Sequence, residues 1–540
     1  MSGDMHSNSE NGKQLNPGSS NGMPILRIGL IENRDTIEFK STGRFSVLND
    51  QGLPILKEVT SSAKWRIKVT LRQPAKFVYT IILGKFLDPR DAHELEYTFI
   101  EKGIGTSIKT RGGKLYHDDL IVNDNTQFWV VIDELKSERE ALEFAQRSLS
   151  HFSYQIIKEK VNEPHAMLEL FDSEFEKLGE AENIIRIVPD STEVFTYIYD
   201  SGGENEPQHY FGKHRTLKGP LEFRSTSDGK VLIICESPLE KYVESIVALE
   251  MKSEFPKELI KAQAVAIRSK TIASLGVRHP DDTYHLCSSP HCQPFTGFRQ
   301  IPEVIAKSVN ETAGVVLRNQ REVIDANCTL VCGGHTEAFH NLSPEEANDP
   351  YPPIFDGEEL AETAFQNDLT AAENLKNWVW TEPDVYCNMA YLHDENQIIM
   401  QLRRYFRWQI SYSRQELEEI ITTNIGSNVG FLYDIIPIRY GVSGRILELE
   451  ILASNKNLVL NGEQNIRKIL APDGLSSSCF TIERQFDEDG FPTQFIFKGA
   501  GHGHGVGLCQ AGGLTMAHQG KDYTEILTHY FKNVNLKKIY

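Results

Sequence analysis

Residues 237–276 read SPLEKYVESIVALEMKSEFPKELIKAQAVAIRSKTIASLG. Ser237, Pro238 and Glu240 have the pattern of a helix start. The hydroxyl can cap free N–H groups, the proline suits the first helical position, and the carboxylate completes a capping box. Leu239, Tyr242, Val243, Ile246 and Val247 then recur at the spacing of a buried helix face. Positions 250 and 251 continue that face. Met251 obeys the pattern and Glu250 breaks it. A carboxylate on a core-facing stripe loses hydration, which raises its pKa and suits it to act as a general acid near neutral pH. The alternative is that Glu250 ends the stripe, reaching water or pairing with a cation. A second helix is expected over roughly 256–275, stopped by Gly276.

The second helix carries Gln263 and Arg268 among small and apolar residues. Buried polar side chains need partners. A cleft holding Glu250 and a polar ligand supplies them. An interhelical Glu250–Arg268 ion pair is the competing arrangement, and it would lower the glutamate's pKa.

The chain of 540 residues suggests two to four domains, and its 40% hydrophobic and 24% charged residues are ordinary for a soluble globular protein. A net charge of −19 argues against non-specific binding to nucleic acid or anionic membrane. No apolar run reaches the ~18 residues of a transmembrane helix. Residues 1–22 are polar, without the apolar core of a signal peptide, and read as a disordered tail. Eight cysteines do not make a disulfide scaffold in a chain of this length.

The expected fold class is α+β and multi-domain: a mixed α/β core whose helical pair carries the site, plus a small βαββαβ insertion. Residues 23–60 read as strands associated with that core. Within 61–165 the order is a strand at Val78–Gly84, a helix at Asp91–Lys102, strands at Ser107–Lys109 and Phe128–Ile132, a helix opened by the Ser137–Glu140 capping box, and a strand at Tyr154–Lys158. Residues 184–540 form the main region. There, Glu303–Glu311 and Ser413–Thr422 read as helices. Ile184–Cys235, Gly314–Cys332 and Arg445–Leu452 read as strands. Pro344–Glu373 reads as an acidic surface excursion.

Three further groups of residues can carry chemistry. The loop YHLCSSPHCQPFTG brings His285, Cys287, His291 and Cys292 within eight residues. Thiolate and imidazole ligands suit tetrahedral zinc. Cys328 and Cys332 can add ligands or pair with each other, and a buried cysteine also serves as a small hydrophobe. The segment GAGHGHGVGLCQAGG interleaves His502 and His504 with glycines that allow close backbone approach to a ligand. It is neither a Walker loop nor a dinucleotide fingerprint. The histidines suit a metal, substrate hydrogen bonds, or packing. Trp378, Trp380, Tyr405, Phe406 and Trp408 suit sugar stacking or an ordinary core.

Three blocks together resemble the stage II sporulation protein D / LytB (SpoIID/LytB) family: SPLEKYVESIVALEMKSEFPKELIKAQAVAIRSKT, then CSSPHCQPFTG with CGGHTE, then GAGHGHGVGLCQAGGLTMAHQGKDYTEILTHYF. PILRIGLIEN, RWQISYSRQELEEII and SGRILELEI are similar to other parts of it. The resemblance implies a lytic transglycosylase that cleaves N-acetylmuramic acid–N-acetylglucosamine bonds of peptide-stripped peptidoglycan strands, leaving 1,6-anhydro ends. It puts the catalytic glutamate at Glu250 and a helix arginine at Arg268, with Ser269 where threonine is usual. Gln263, His502, His504 and Gln510 are the candidate substrate contacts, and Cys287, His291 and Cys292 the candidate zinc ligands. YTIILGKFLDPRDA, at residues 79–92, resembles a SPOR module, which implies binding of glycan strands. A non-catalytic glycan binder or amidase enhancer is the alternative, and a zinc hydrolase using His502 and His504 a third. The expected partners are glycan strands and a cell-wall amidase, with no nucleic acid. The family implies the cell envelope, although no signal peptide or anchor is legible.

Overall fold

The computed structural model describes residues 14–15, 19–20, 23–31, 34–60, 63–117, 120–199, 214–298, 300–343, 349–358, 368–389, 392 and 397–540. The expected tail therefore lies largely outside the described residues. Its two described pieces are short strands, Gln14–Leu15 beside Lys114–Leu115 and Ser19–Ser20 beside Met23–Pro24.

Alternating strands build two antiparallel sheets that pack face to face. One runs Lys177–Glu182, His165–Phe171, Trp65–Gln73, Thr36–Ser41, Phe195–Tyr199, His214–Lys218. The other runs Ser19–Ser20, Met23–Ile31, Val231–Pro238, Leu221–Ser225, Ile185–Pro189, Phe45–Leu48, Pro54–Val59. Thr36–Ser41 buries every second residue, as a sheet with one covered face requires. Phe39 and Trp65 of the first sheet meet Phe45 and Phe223 of the second, with ring centroids 5.2 to 6.1 Å apart.

A module is inserted between two neighbouring strands of the first sheet, because Trp65–Gln73 and His165–Phe171 pair directly. It spans Phe77–Lys160, narrower than the 61–165 expected, since Trp65–Gln73 belongs to the core. Its sheet order is Gln155–Lys160, Phe77–Phe86, Gln127–Leu135, Ser107–Arg111, with helices α1 (Pro89–Glu101) and α2 (Glu138–Ser148) on one face. Ser137 caps α2 through the Glu140 amide, at 3.1 Å. A hairpin, Lys114–His117 with Leu120–Asp124, interrupts the simple order; its short strands left no clear alternation to read.

Val231–Cys235 is buried throughout. Helix α3 (Leu239–Glu250) covers the face of this strand turned away from the sandwich, which explains its unbroken apolar run. Helices α4 (Lys257–Ala273) and α5 (Glu303–Glu311) pack beside α3. The chain's last helices, Gln510–His518 and Tyr523–Tyr530, return to α4, and Asn535–Lys538 pairs with Val315–Arg318. Val315–Arg318 and Cys328–Thr329 are the only strands, among the described residues, within the stretch 314–332 expected to be strands.

Residues 407–500 form a separate unit with its own core, around Leu417, Ile421, Leu449, Phe480 and Phe497. Its helix Arg414–Ile425 is opened by a Ser413–Glu416 capping box. In the expected acidic excursion, 344–348 and 359–367 lie outside the described residues. The part between them is buried in places rather than wholly on the surface: Tyr351, Phe355 and Asp356 are at most 5% exposed, while Asp349, Pro352 and Glu358 are exposed. No helix among the described residues is long and apolar enough to cross a membrane.

Candidate active site

The apolar stripe of α3 packs as its spacing dictates: Leu239, Tyr242, Val243, Ile246, Val247 and Met251 are all buried. Its start differs from expectation. Ser237 and Pro238 still belong to the preceding strand, and the Ser237 hydroxyl bonds to the Pro238 carbonyl rather than capping the helix. Glu240, freed from a capping role, turns inward. It accepts from Arg268 Nε at 2.7 Å and Nη2 at 2.6 Å, from the Gly314 amide at 3.1 Å, and from the Tyr540 hydroxyl. Arg268 is fully buried and also donates to the carbonyls of Val315 and Val309. The Glu250–Arg268 pair is therefore not formed. Arg268 clamps α4 to α3 and to the backbone after α5, and its guanidinium is committed inside the protein.

Glu250 is the last residue of α3 and faces solvent. It ends the apolar stripe rather than lying in it. Its carboxylate accepts from Gln263 Nε2 at 2.6 Å. Desolvation by the surrounding protein dominates and raises the carboxyl above its ordinary range, against the charge of Lys270 and the Gln263 hydrogen bond. The negative end of the α3 dipole acts in the same upward direction. Solvent contact and a raised pKa are compatible in a recess, where water reaches the oxygen atoms but protein replaces much of the hydration shell.

Lys270 was not singled out by sequence. It lies two turns beyond Gln263 on α4 and donates to Asn327 Oδ1 at 2.5 Å. Lys270, Asn327 and His504 line a cleft of about 830 Å³, whose opposite wall is the module's open sheet face with Phe77, Trp129 and Lys158. Cys328 is the link between these groups: Gln263 reaches its thiol, and its backbone reaches His504.

The glycine segment folds against the strand Cys328–Thr329, and Val331 and His502 exchange backbone hydrogen bonds. Gly505 shows why glycine is needed: it has φ of +81°, and a Cβ there would lie 2.3 Å from the buried Arg445 guanidinium. Burial lowers His502 to about 4, helped by Arg467. It lowers His504 to about 3, helped by Lys270. Both imidazoles are thus neutral at pH 7. Among the described residues, neither falls in a group of three or more metal-ligating side chains. His502 packs on Tyr405 with ring centroids 4.2 Å apart. Gln510 opens the helix Gln510–His518 and is buried. Of the other aromatic residues, Trp378 and Phe406 are core, Trp408 donates to the Gly501 carbonyl at 3.1 Å, and Trp380 is exposed under Lys498.

Cys287, His291 and Cys292 come together, and the fourth member of their group is His279 rather than His285. Their ligand atoms lie within 4.8 Å of one another. His285 instead accepts the Arg27 amide through Nδ1 at 3.1 Å, and burial lowers it to about 4. Hydrogen bonds from Cys292, and then from His279 and His291, hold the Cys287 thiol well below its usual range. Burial pulls His279 down, but Asp282 and Cys287 outweigh it and raise the imidazole to about 9. An electron-rich thiol among imidazoles and a second thiol is a donor set that zinc fits. His279 escaped the sequence reading because it precedes the loop and is folded back onto it.

The family model of stage II sporulation protein (SpoIID) matches residues 227–318, which hold the central strand, α3, α4, the cysteine–histidine loop and α5. This segment is similar to the SpoIID family, and the relatives below support a SpoIID/LytB assignment. A second family model, a domain of unknown function (DUF8618), matches residues 366–507 and covers the separate unit. The chain is 24% identical over 318 residues to an uncharacterized protein of Brachyspira hyodysenteriae, covering 59% of the chain and 71% of the relative. It is 24% identical over 317 residues to stage II sporulation protein D of Bacillus amyloliquefaciens, covering 56% and 74%. It is 22% identical over 303 residues to the amidase enhancer of Bacillus subtilis, covering 54% of the chain and 40% of the relative.

Proposed function

We propose that this protein acts in the cell envelope as a lytic transglycosylase on peptidoglycan strands, with Glu250 as general acid and then base. One observation carries the reading: Glu250 is a solvent-facing carboxylate of raised pKa, held by Gln263 and within the electrostatic reach of Lys270, which lines the cleft. A protonated carboxyl can give its proton to the glycosidic oxygen as the bond to the muramyl anomeric carbon breaks. The resulting carboxylate then accepts the proton of the muramyl 6-hydroxyl as that oxygen attacks the same carbon. The proton lost in the first step is regained in the second, and no water is consumed. Lys270 suits stabilisation of the transient carboxylate. The neutral His504 suits a hydrogen bond to sugar.

His279, Cys287, His291 and Cys292 are the residues that would hold zinc in this reading. The ion would cross-link the loop that follows α4, with no part in proton transfer. The test is mass spectrometry of purified, peptide-free strands after incubation with the protein. Anhydro ends are expected from the wild type, with a loss of about 10²–10⁴-fold in Glu250→Gln. Full activity in that variant would sink the assignment. The relative named amidase enhancer favours a second reading, a glycan-binding protein that stimulates a cell-wall amidase. That reading expects no anhydro product, and amidase stimulation that survives Glu250→Gln.

A further inference from the structure

Four buried side chains from four separate segments converge behind the glycine segment. Cys332 follows the strand Cys328–Thr329. Asp356 lies in the buried run 354–357, Cys387 in the 3-10 helix Tyr386–Asn388, and Cys509 at the N-cap of the helix Gln510–His518. None is more than 2% exposed, and their ligand atoms all lie within 4.8 Å of one another. Cys332 Sγ is 3.6 Å from Cys387 Sγ and 3.3 Å from Asp356 Oδ2. A tetrahedron with Zn–S of ~2.3 Å and Zn–O of ~2.0 Å has edges of about 3.8 Å between sulfurs and about 3.5 Å between sulfur and oxygen. These two separations lie within about 0.2 Å of those edges.

The surroundings are those of anionic ligands. Sγ of Cys332 accepts from the Gly334 amide at 3.5 Å. Sγ of Cys509 accepts from the amides of Cys332 at 3.2 Å and Gly512 at 3.4 Å. The Tyr530 hydroxyl donates to Asp356 Oδ1 at 2.6 Å, and the Cys387 amide to Oδ2 at 3.0 Å. These bonds orient the carboxylate toward the sulfurs, as outer partners do at metal sites. Gly512 makes room for it: a Cβ there would fall 2.7 Å from Asp356 Oδ1. The Arg407 guanidinium, which donates to the Gly333 carbonyl, adds positive charge close to Cys332 and Cys387. A disulfide can join only two of the three thiols. It would leave the third thiol and the carboxylate buried together, an arrangement that is costly without a cation.

We propose that Cys332, Cys387, Cys509 and Asp356 form a second zinc site, closed and four-coordinate. With all four positions filled by protein, the site has no place for water or substrate, so its role is structural. It pins the CGGHTE loop and the start of the last helical pair, between which the glycine segment is held. The proposal does not rest on the transglycosylase reading.

The experiment uses the full chain carrying Cys287→Ser and Cys292→Ser, which removes both thiols of the loop group and leaves the second site untouched. The protein is purified under reducing conditions, loaded with Zn²⁺ or Co²⁺ alone, and dialysed. One equivalent of metal per chain is expected. The Co²⁺ form should show sulfur-to-cobalt charge-transfer absorption and the strong visible bands of tetrahedral coordination. Adding Cys387→Ser or Asp356→Asn should abolish that equivalent. A folded Cys287→Ser/Cys292→Ser chain that retains no metal and gives no charge-transfer band overturns the proposal. So does a Cys332–Cys387 disulfide found by mass spectrometry in that metal-free chain. The spectrum is read on a chain with an intact second site, so it decides the matter even if Cys387→Ser does not fold.

Discussion

At the scale of single residues, what matters about Glu250 is the balance acting on its proton. Desolvation by the surrounding protein raises its pKa, whereas Lys270 and Gln263 lower it. Removing either opposing group should raise it further. In Lys270→Met, the alkaline limb of the pH–activity profile of glycan cleavage should therefore move to higher pH, because the acid stays protonated longer. A shift to lower pH would contradict the placement of Lys270. The linkage has the same sign for stability. A carboxyl whose folded pKa exceeds its unfolded value weakens folding as pH rises through the folded pKa. Denaturation midpoints of Glu250→Gln should then fall less than those of the wild type over that interval. The sequence made this residue visible only as an interruption of an apolar period. It could not show that Gln263 and Lys270 stand near Glu250, because side chains thirteen or twenty positions apart share a site only once α3 and α4 are packed.

At the scale of elements, the Glu240–Arg268 pair fixes how α3 and α4 meet. Breaking a buried, hydrogen-bonded ion pair from one side strands the other charge. Arg268→Ala should cost about 3–5 kcal/mol in urea denaturation. Arg268→Lys should recover little, since one ammonium cannot replace the two-point contact with Glu240 and the bonds to Val309 and Val315. A loss below about 1 kcal/mol would show that the pair is not the clamp described. Both helices were legible from apolar spacing alone, and every residue of the α3 stripe is buried. The capping box was misread because Ser237 and Glu240 have the right chemistry and spacing, yet the strand runs on to Pro238 and the carboxylate finds a stronger partner. Local pattern identifies a helix; the competition for its polar side chains is settled by tertiary neighbours.

At the scale of the molecule, the inserted module is bolted to the helical pair. Asn125 Nδ2, at the edge of the module's hairpin, donates to the carbonyls of Ala273 at 2.9 Å and Leu275 at 2.8 Å, where α4 ends. Asn123 Oδ1 accepts the Val323 amide at 2.8 Å, and Arg111 pairs with Asp281 at 3.2 Å. Asn125→Ala removes two bonds to helix-end carbonyls. It should cost about 2–3 kcal/mol, at roughly 1–1.5 kcal/mol each. Amides of the last turn of α4 should exchange with solvent at least several-fold faster, read by hydrogen exchange. Unchanged exchange there would mean that the module is only appended. The module's βαββαβ order was legible from alternation and caps. Its docking was not, because Asn125 and its acceptors are about 150 positions apart. The same limit hid Asp356 in a stretch that reads as surface, and the partnership of Cys332 with Cys509, 177 positions away.

The pairing of Met23–Ile31 with Val231–Pro238 has a consequence in time. On the ribosome, an early strand with Leu26, Ile28 and Leu30 must wait for a partner made only after the whole module has been synthesised. At ~5–20 residues per second the delay is roughly 10–40 s. During that interval the module can fold by itself, while the strand's apolar side chains remain a target for chaperones and for neighbouring chains.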